Sequence, residues 1–164
     1  MLIELHVAEG EEKDILKNLI QFYDYDFSEF TDEDVLEKGN YSEYPFIDLY
    51  WEESSRVPYL IRVEGSLAGF VLVRTVEEAN YIYYSIAEFF VMKKYRRSGI
   101  GKQVAETVFN KHRGQWEVYQ LERNRPAQTF WVKVISEYTN GNYSERNEQG
   151  KRIQSFSSSE KSSI

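Results

Sequence analysis

The sequence predicts an α+β domain built on a mixed sheet. Three observations carry that reading. Apolar residues alternate with a period of two at Val57, Tyr59, Ile61 and Val63, and two further strand-like runs, 67–73 and 80–92, follow with no helix between them. A strand then leads through a basic, glycine-bearing loop into a helix. Further on, Ala127, Phe130, Trp131, Val134, Ile135 and Tyr138 recur at helical spacing along one face. Consecutive strands without helices between them favour an antiparallel meander, and the later strand–loop–helix passage adds the helical part.

The elements follow in order. Residues 2–7 alternate as a short strand. In 11–27, Ile15, Leu19, Phe22 or Tyr23, and Phe27 repeat at helical spacing. A second short helix is expected over 32–38, with Thr31 as its N-cap. Residues 40–53 are aromatic and acidic and show no readable period. Val57, Tyr59, Ile61 and Val63 then alternate, and Glu64-Gly65-Ser66 reads as a hairpin turn into a return strand over 67–73. Residues 80–92 make the third strand of the meander. A helix follows with Ile100, Val104 and Val108 on one face, and 116–121 is another strand behind Gly114. Pro126 sits in the first turn of the last helix, where its missing N–H costs little, and Asn140-Gly141 ends that helix. A hairpin of 142–148 and 151–156 turns at Gln149-Gly150. The organisation expected is one domain over 1–156 and a polar, disordered tail over 157–164.

Composition excludes several function classes. The chain has 164 residues and no cysteine, so disulfides, thiolate metal sites and a cysteine nucleophile are all ruled out. Its two histidines, His6 and His112, lie far apart and read as structural; no metal is expected. There is no apolar signal segment at the start and no run long enough to span a bilayer, so a cytoplasmic protein without a membrane partner is expected. The net charge of −7 is uneven: residues 1–50 carry −11 and residues 51–164 carry +4. Seven basic residues and one acid, Glu106, lie within 93–113. Such a division suits a cationic partner on one side and an anionic one on the other. The overall acidity and the absence of a nucleic-acid motif argue against nucleic acid.

The chemistry-bearing segment is Lys93-Lys94-Tyr95-Arg96-Arg97-Ser98-Gly99-Ile100-Gly101-Lys102. It joins a strand to a helix N-terminus, where successive amides and the helix dipole make an anion site. Glycines at 99 and 101 allow close approach of a phosphate, and the basic side chains add charge-assisted bonds. Two other phosphate loops do not fit. A P-loop ending at Gly101-Lys102 would need glycine where Arg96 stands and Ser or Thr where Gln103 stands. A dinucleotide fingerprint would need three spaced glycines after the first strand of a βαβ unit.

Arg96-Arg97-Ser98-Gly99-Ile100-Gly101 does match Q/R-x-x-G-x-G/A. In this it resembles the acetyl-CoA pyrophosphate loop of the GNAT (Gcn5-related N-acetyltransferase) family. The order of elements is similar too, and Asn124-Arg125-Pro126-Ala127-Gln128-Thr129-Phe130-Trp131 looks like that family's N-x-x-A-x-x-L/F-Y. The resemblance covers residues 1 to about 156. It implies a three-layer α/β arrangement: a mostly antiparallel central sheet flanked by helices, with the fourth strand (80–92) splayed from the fifth (116–121). Pantetheine would thread that gap on backbone groups of Phe89, Phe90 and Val91. Arg96, Arg97, Ser98, Gly99, Ile100, Gly101 and Lys102 would cradle the pyrophosphate, and Asn124 would help seat the pantetheine arm. A backbone N–H near Phe90 or Val91 would polarise the thioester carbonyl as an oxyanion hole. The implied activity is N-acetyl transfer from acetyl-CoA to a primary amine of a small-molecule or peptidyl acceptor. The alternative is a catalytically silent CoA-binding or regulatory module. The exposed strand edges would permit a homodimer.

The sequence departs from the family at the catalytic groups. The usual family tyrosine, seven residues after the asparagine, is Trp131, an N–H donor that cannot serve as a practical acid; it is counted with the cofactor-binding residues. The carboxylate that some members place five residues before the asparagine is Tyr119. Glu88 interrupts an apolar row formed by Ile82, Tyr84, Ile86 and Phe90 and is the candidate general base. Tyr138 shares a helix face with Trp131 and is the candidate acid, with core packing as its other reading. Glu117 and Tyr119 form a reserve pair. Phe22, Tyr23, Tyr25, Phe27, Phe30, Tyr41, Tyr44, Phe46, Tyr50 and Trp51, with their acidic neighbours, could bind a cation through ring faces and carboxylates, with core packing accounting for at least half of the rings.

Overall fold

A computed structural model describes residues 1–158. Seven strands form one mostly antiparallel sheet in the order β1-β2-β3-β4-β5-β7-β6. They are β1 (Ile3–Val7), β2 (Arg56–Val63), β3 (Ser66–Glu78), β4 (Tyr81–Val91), β5 (Gln115–Leu121), β6 (Ser144–Glu148) and β7 (Lys151–Ser157). The helices are α1 (Lys13–Thr31), the one-turn α2 (Leu49–Glu52), α3 (Ile100–Lys111) and α4 (Arg125–Thr139). The mixed α+β sheet architecture expected from the sequence is therefore present. The chain clusters into two compact units: 1–72 with 88–95, and 73–87 with 96 onward.

In the first unit, β1 pairs antiparallel with β2, from Ile3 opposite Val63 to Val7 opposite Tyr59. The β2–β3 turn has Glu64 and Gly65 at φ 49° and 82°, the two left-handed residues of a type I′ hairpin. Leu16, Leu19 and Ile20 of α1 are buried, as are Leu60, Ile61, Phe70 and Leu72 of the strands. Gly69 is fixed by a close approach. A Cβ there would stand 1.9 Å from the Phe90 carbonyl oxygen, so any side chain would displace the end of β4.

The helix expected over 32–38 is absent; that stretch is turn and coil. Thr31 closes α1 rather than opening a new helix, and Asp32, at φ 60°, terminates it with its N–H donating to the Ser28 carbonyl. With five acids in 29–37 and few apolar residues, the stretch has no face to bury. Conversely, α1 starts after a capping box that sequence periodicity did not reveal. The Glu12 side chain accepts from the Glu9 N–H at 3.0 Å, and Glu12 N–H donates back to the Glu9 carbonyl at 2.8 Å.

In the second unit, β4 and β5 run parallel and register at Tyr84 opposite Trp116. The β5–β7 ladder, by contrast, runs from Gln115 opposite Ser157 to Leu121 opposite Lys151. The core gathers Ile100, Val104, Val108 and Phe109 of α3, Trp131, Val134 and Ile135 of α4, and Trp116, Val118 and Phe156. Phe109 meets Trp116 and Phe156 edge-on at 5.0 and 4.9 Å. Gln120 and Gln154 are buried and exchange two amide bonds, 2.7 and 3.0 Å. The expected tail begins too early. Ser157 belongs to β7, and Ser158 is 2% exposed, its N–H donating to the Gly114 carbonyl at 2.8 Å while its hydroxyl accepts from the Trp116 indole at 3.1 Å. The remainder of the expected tail, 159–164, lies outside the described residues.

Candidate functional site

The site residues anticipated from the sequence are divided between the two units. In the second unit, the chain between β4 and α3 ends in a basic turn. Arg97 adopts φ 63° and Gly99 φ 83°, and Gly99 is the N-cap of α3. Left-handed residues in a turn are the backbone setting in which neighbouring amides can converge on an anion. The first-turn amides of α3 have no acceptor within the helix and add the positive end of its dipole. A Cβ built on Gly99 meets nothing within 4 Å, so the space over this turn is open. Such a turn fits a diphosphate. Lys102 does not aim its ammonium at it. That group pairs with Glu137 of α4 at 2.5 Å, and the bond holds its pKa above the ordinary value.

Asn124 also has a local task. Its side-chain oxygen accepts from the Ala127 N–H at 3.1 Å and caps α4, while Pro126 occupies the first turn. Trp131 is 6% exposed and packs edge-on against Phe130 at 4.9 Å. Tyr138 packs its ring at 5.2 Å from Phe109 and donates its hydroxyl to Asn110 Oδ1 at 2.7 Å, tying α4 to α3. Of the reserve pair, Glu117 is buried in an ion pair with Arg146 of β6, and Tyr119 lies under the Lys151 ammonium at 4.4 Å. His112 packs against Tyr84 at 5.3 Å, and burial pushes its pKa down. A separate open concavity of about 410 Å³, lined by Glu122, Gln128, Glu145, Arg146, Asn147 and Arg152, lies on the β6–β7 side; it is more polar than apolar and holds none of the anticipated catalytic groups.

In the first unit, Phe89, Phe90 and Val91 occupy the end of β4, where the Met92 N–H donates to the Ala68 carbonyl at 2.8 Å. Glu88 precedes them and is half-buried. Tyr23 of α1 donates its hydroxyl to Glu88 Oε2, and Tyr44 donates to Oε1 at 3.0 Å. The Tyr23 ring stacks on Phe27 at 5.4 Å and meets Phe70 and Phe90 edge-on. Burial pushes the Glu88 carboxyl up to about 7, with nearby Asp24 acting in the same direction; the two tyrosine bonds pull it back. Asp24 itself is pushed up to about 6, by burial and then by Glu33. A carboxyl poised near neutrality inside an aromatic wall can accept a proton from an ammonium or amine.

Sequence reasoning located Glu88 but not its partners. Tyr23 and Tyr44 stood in a crowd of aromatics, and the aperiodic stretch around Tyr44 gave no signal to single it out. The other rings have different tasks: Tyr41 is buried with its backbone bonded reciprocally to Gln21, and the Trp51 indole donates to the Ala8 carbonyl at 3.0 Å. Among the described residues, no cluster of three His, Cys, Asp or Glu is arranged to hold a metal, and no helix is long and apolar enough to cross a membrane.

The model of the acetyltransferase (GNAT) family matches residues 19–135. No curated protein matches the sequence. Among solved structures, a GNAT-family acetyltransferase from Streptococcus agalactiae aligns with a TM-score of 0.68 at 16% identity, over 97% of this chain and 96% of its own. One from Staphylococcus aureus aligns with 0.66 at 14% identity, over 95% and 99%. The PaiA N-acetyltransferase of Thermoplasma acidophilum, solved with coenzyme A, aligns with 0.64 at 15% identity, over 96% and 99%.

Proposed function

Since the chain belongs to the GNAT acetyltransferase family, we propose that it moves an acetyl group from acetyl-CoA to the amine of a small-molecule or peptidyl acceptor by direct attack in a ternary complex. The observation that carries this reading is the Arg97–Gly99 turn at the N-terminus of α3, with its left-handed residues and the open space above Gly99. The match to a CoA-bound N-acetyltransferase supports the choice of anion. Acetyl-CoA supplies an activated thioester. The amides of 97–102 hold its diphosphate, and backbone groups of Phe89, Phe90 and Val91 are the proposed pantetheine contacts. Glu88 is the proposed base: it takes one proton from the acceptor ammonium, freeing the lone pair that forms the new C–N bond, and the acylated nitrogen gives its second proton to solvent as the C–S bond breaks. The thiolate leaves with the sulfur electron pair and takes its proton from solvent. Tyr138 is committed to Asn110 and the core, so the reading assigns it packing rather than acid work.

The acceptor class follows from charge. With −11 over residues 1–50 and Glu88 among tyrosine rings, a cationic amine is favoured. The test of the cradle is an Arg97→Glu/Gly99→Asp double variant. By calorimetry it is expected to bind acetyl-CoA at least about tenfold more weakly, because two carboxylates replace donors and open space at a diphosphate site, while its thermal unfolding stays cooperative. Unchanged affinity would refute the cradle. The second reading, a silent CoA-binding module, is favoured by one observation: Trp131 stands buried where the family carries its usual tyrosine. Thiol release from acetyl-CoA over a panel of primary amines and lysine peptides separates the two.

A further inference from the structure

Glu88 is gripped by hydroxyls from two distant parts of the chain. Tyr23 comes from the middle of α1 and Tyr44 from the irregular stretch before α2. One bonds Oε2 and the other Oε1, so the carboxyl cannot turn about its terminal torsion without breaking a bond. Each carboxylate oxygen has two acceptor sites, and one on each remains for an approaching N–H. The Tyr23 ring is itself fixed by Phe27, Phe70 and Phe90. We propose that Tyr23 and Tyr44 are positioning residues that clamp the Glu88 carboxyl by both oxygens, setting its orientation and its readiness to accept a proton. The inference deepens the proposed function and rests on Glu88 being the base there.

The groups facing Glu88 are Tyr23 and Asp24 from α1 and Tyr44 from the following stretch. Both hydroxyl bonds favour the ionised carboxylate, while burial and Asp24 oppose it. Loss of either hydroxyl therefore makes Glu88 a carboxyl that holds its proton to higher pH.

Tyr23→Phe and Tyr44→Phe each keep the ring and remove one donor. In protein carrying carbon-13 glutamate, the Glu88 carboxyl signal is assigned by its loss in Glu88→Gln and titrated without any ligand. Each tyrosine variant is expected to raise the midpoint by about one unit, the scale of a hydrogen bond to a charged group. The rising limb of thiol release against pH should move the same way, with the KM for acetyl-CoA unchanged. Unaltered midpoints in both variants overturn the clamp. If Tyr23→Phe fails to fold, Tyr44→Phe decides alone, since Tyr44 lies outside any helix or strand. The two failures are distinguishable. A Glu88→Gln protein that releases thiol with the wild-type pH profile removes the base reading, whereas the carboxyl titration still decides whether the clamp exists.

Discussion

At the scale of single residues, the consequential group is a carboxyl placed where water solvates it poorly. Burial pushes the folded Glu88 carboxyl up to about 7, above the ordinary 4.5. Between those values the folded chain keeps a proton that the unfolded chain has released, so this group's contribution to stability is full below 4.5 and lost as pH rises through about 7. Removing the ionisable group should therefore flatten that dependence. In calorimetric scans, the melting temperature of Glu88→Gln should gain on that of wild type as pH rises through the window; a constant difference would show that Glu88 is not desolvated. Activity should follow the opposite course, rising with pH as the base ionises. The identity of this residue was legible in the sequence because it breaks an apolar row on one strand face. Its protonation partners were not, because a hydroxyl 65 positions away leaves no periodic trace.

At the scale of elements, two local devices hold the site-bearing segments. Gly69 permits the Phe90 carbonyl to lie against β3. Gly69→Ala should cost at least about 1–3 kcal/mol, the range for overpacking a filled interior, read as a lowered denaturant midpoint. Asn124 caps α4, and Asn124→Ala should cost about 1 kcal/mol by the same measurement. The buried Gln120–Gln154 pair behaves differently from either. Gln154→Leu alone strands a buried amide and should cost about 1–3 kcal/mol, whereas the double leucine variant should recover much of that loss. Elements with a strong period were readable in advance: α3 and α4 bury Ile100, Val104, Val108, Trp131, Val134 and Ile135 as their spacing implies, and Gln149-Gly150 makes the last hairpin turn. The false helix over 32–38 shows the limit of that method. Thr31 can cap a helix in principle, but the left-handed Asp32 ends one, and which occurs is decided by burial around α1 rather than by local preference.

At the scale of the whole molecule, charge divides between the acidic first fifty residues and the basic remainder. A cationic acceptor should then bind by long-range attraction, and its KM should rise severalfold as ionic strength goes from about 0.05 to about 0.5 M, where screening shortens from roughly 14 to roughly 4 Å. An uncharged amine should show no such trend, which makes it the control. The fold class could be read from the consecutive apolar strands of 57–92 and the two amphipathic helices, since those patterns depend on burial alone. The close of the chain could not, because a run of serines looks solvent-borne whatever it touches. Ser158 instead plugs the corner between α3 and β5: its hydroxyl donates to the His112 carbonyl at 3.0 Å and takes the Gly114 N–H at 3.2 Å, and its own carbonyl receives the Arg113 guanidinium at 3.1 Å. A protease or a stop codon that shortens the chain by enough to remove this one small side chain would pull a stopper from beneath Trp116, and anyone trimming or tagging this end should count to 158 before cutting.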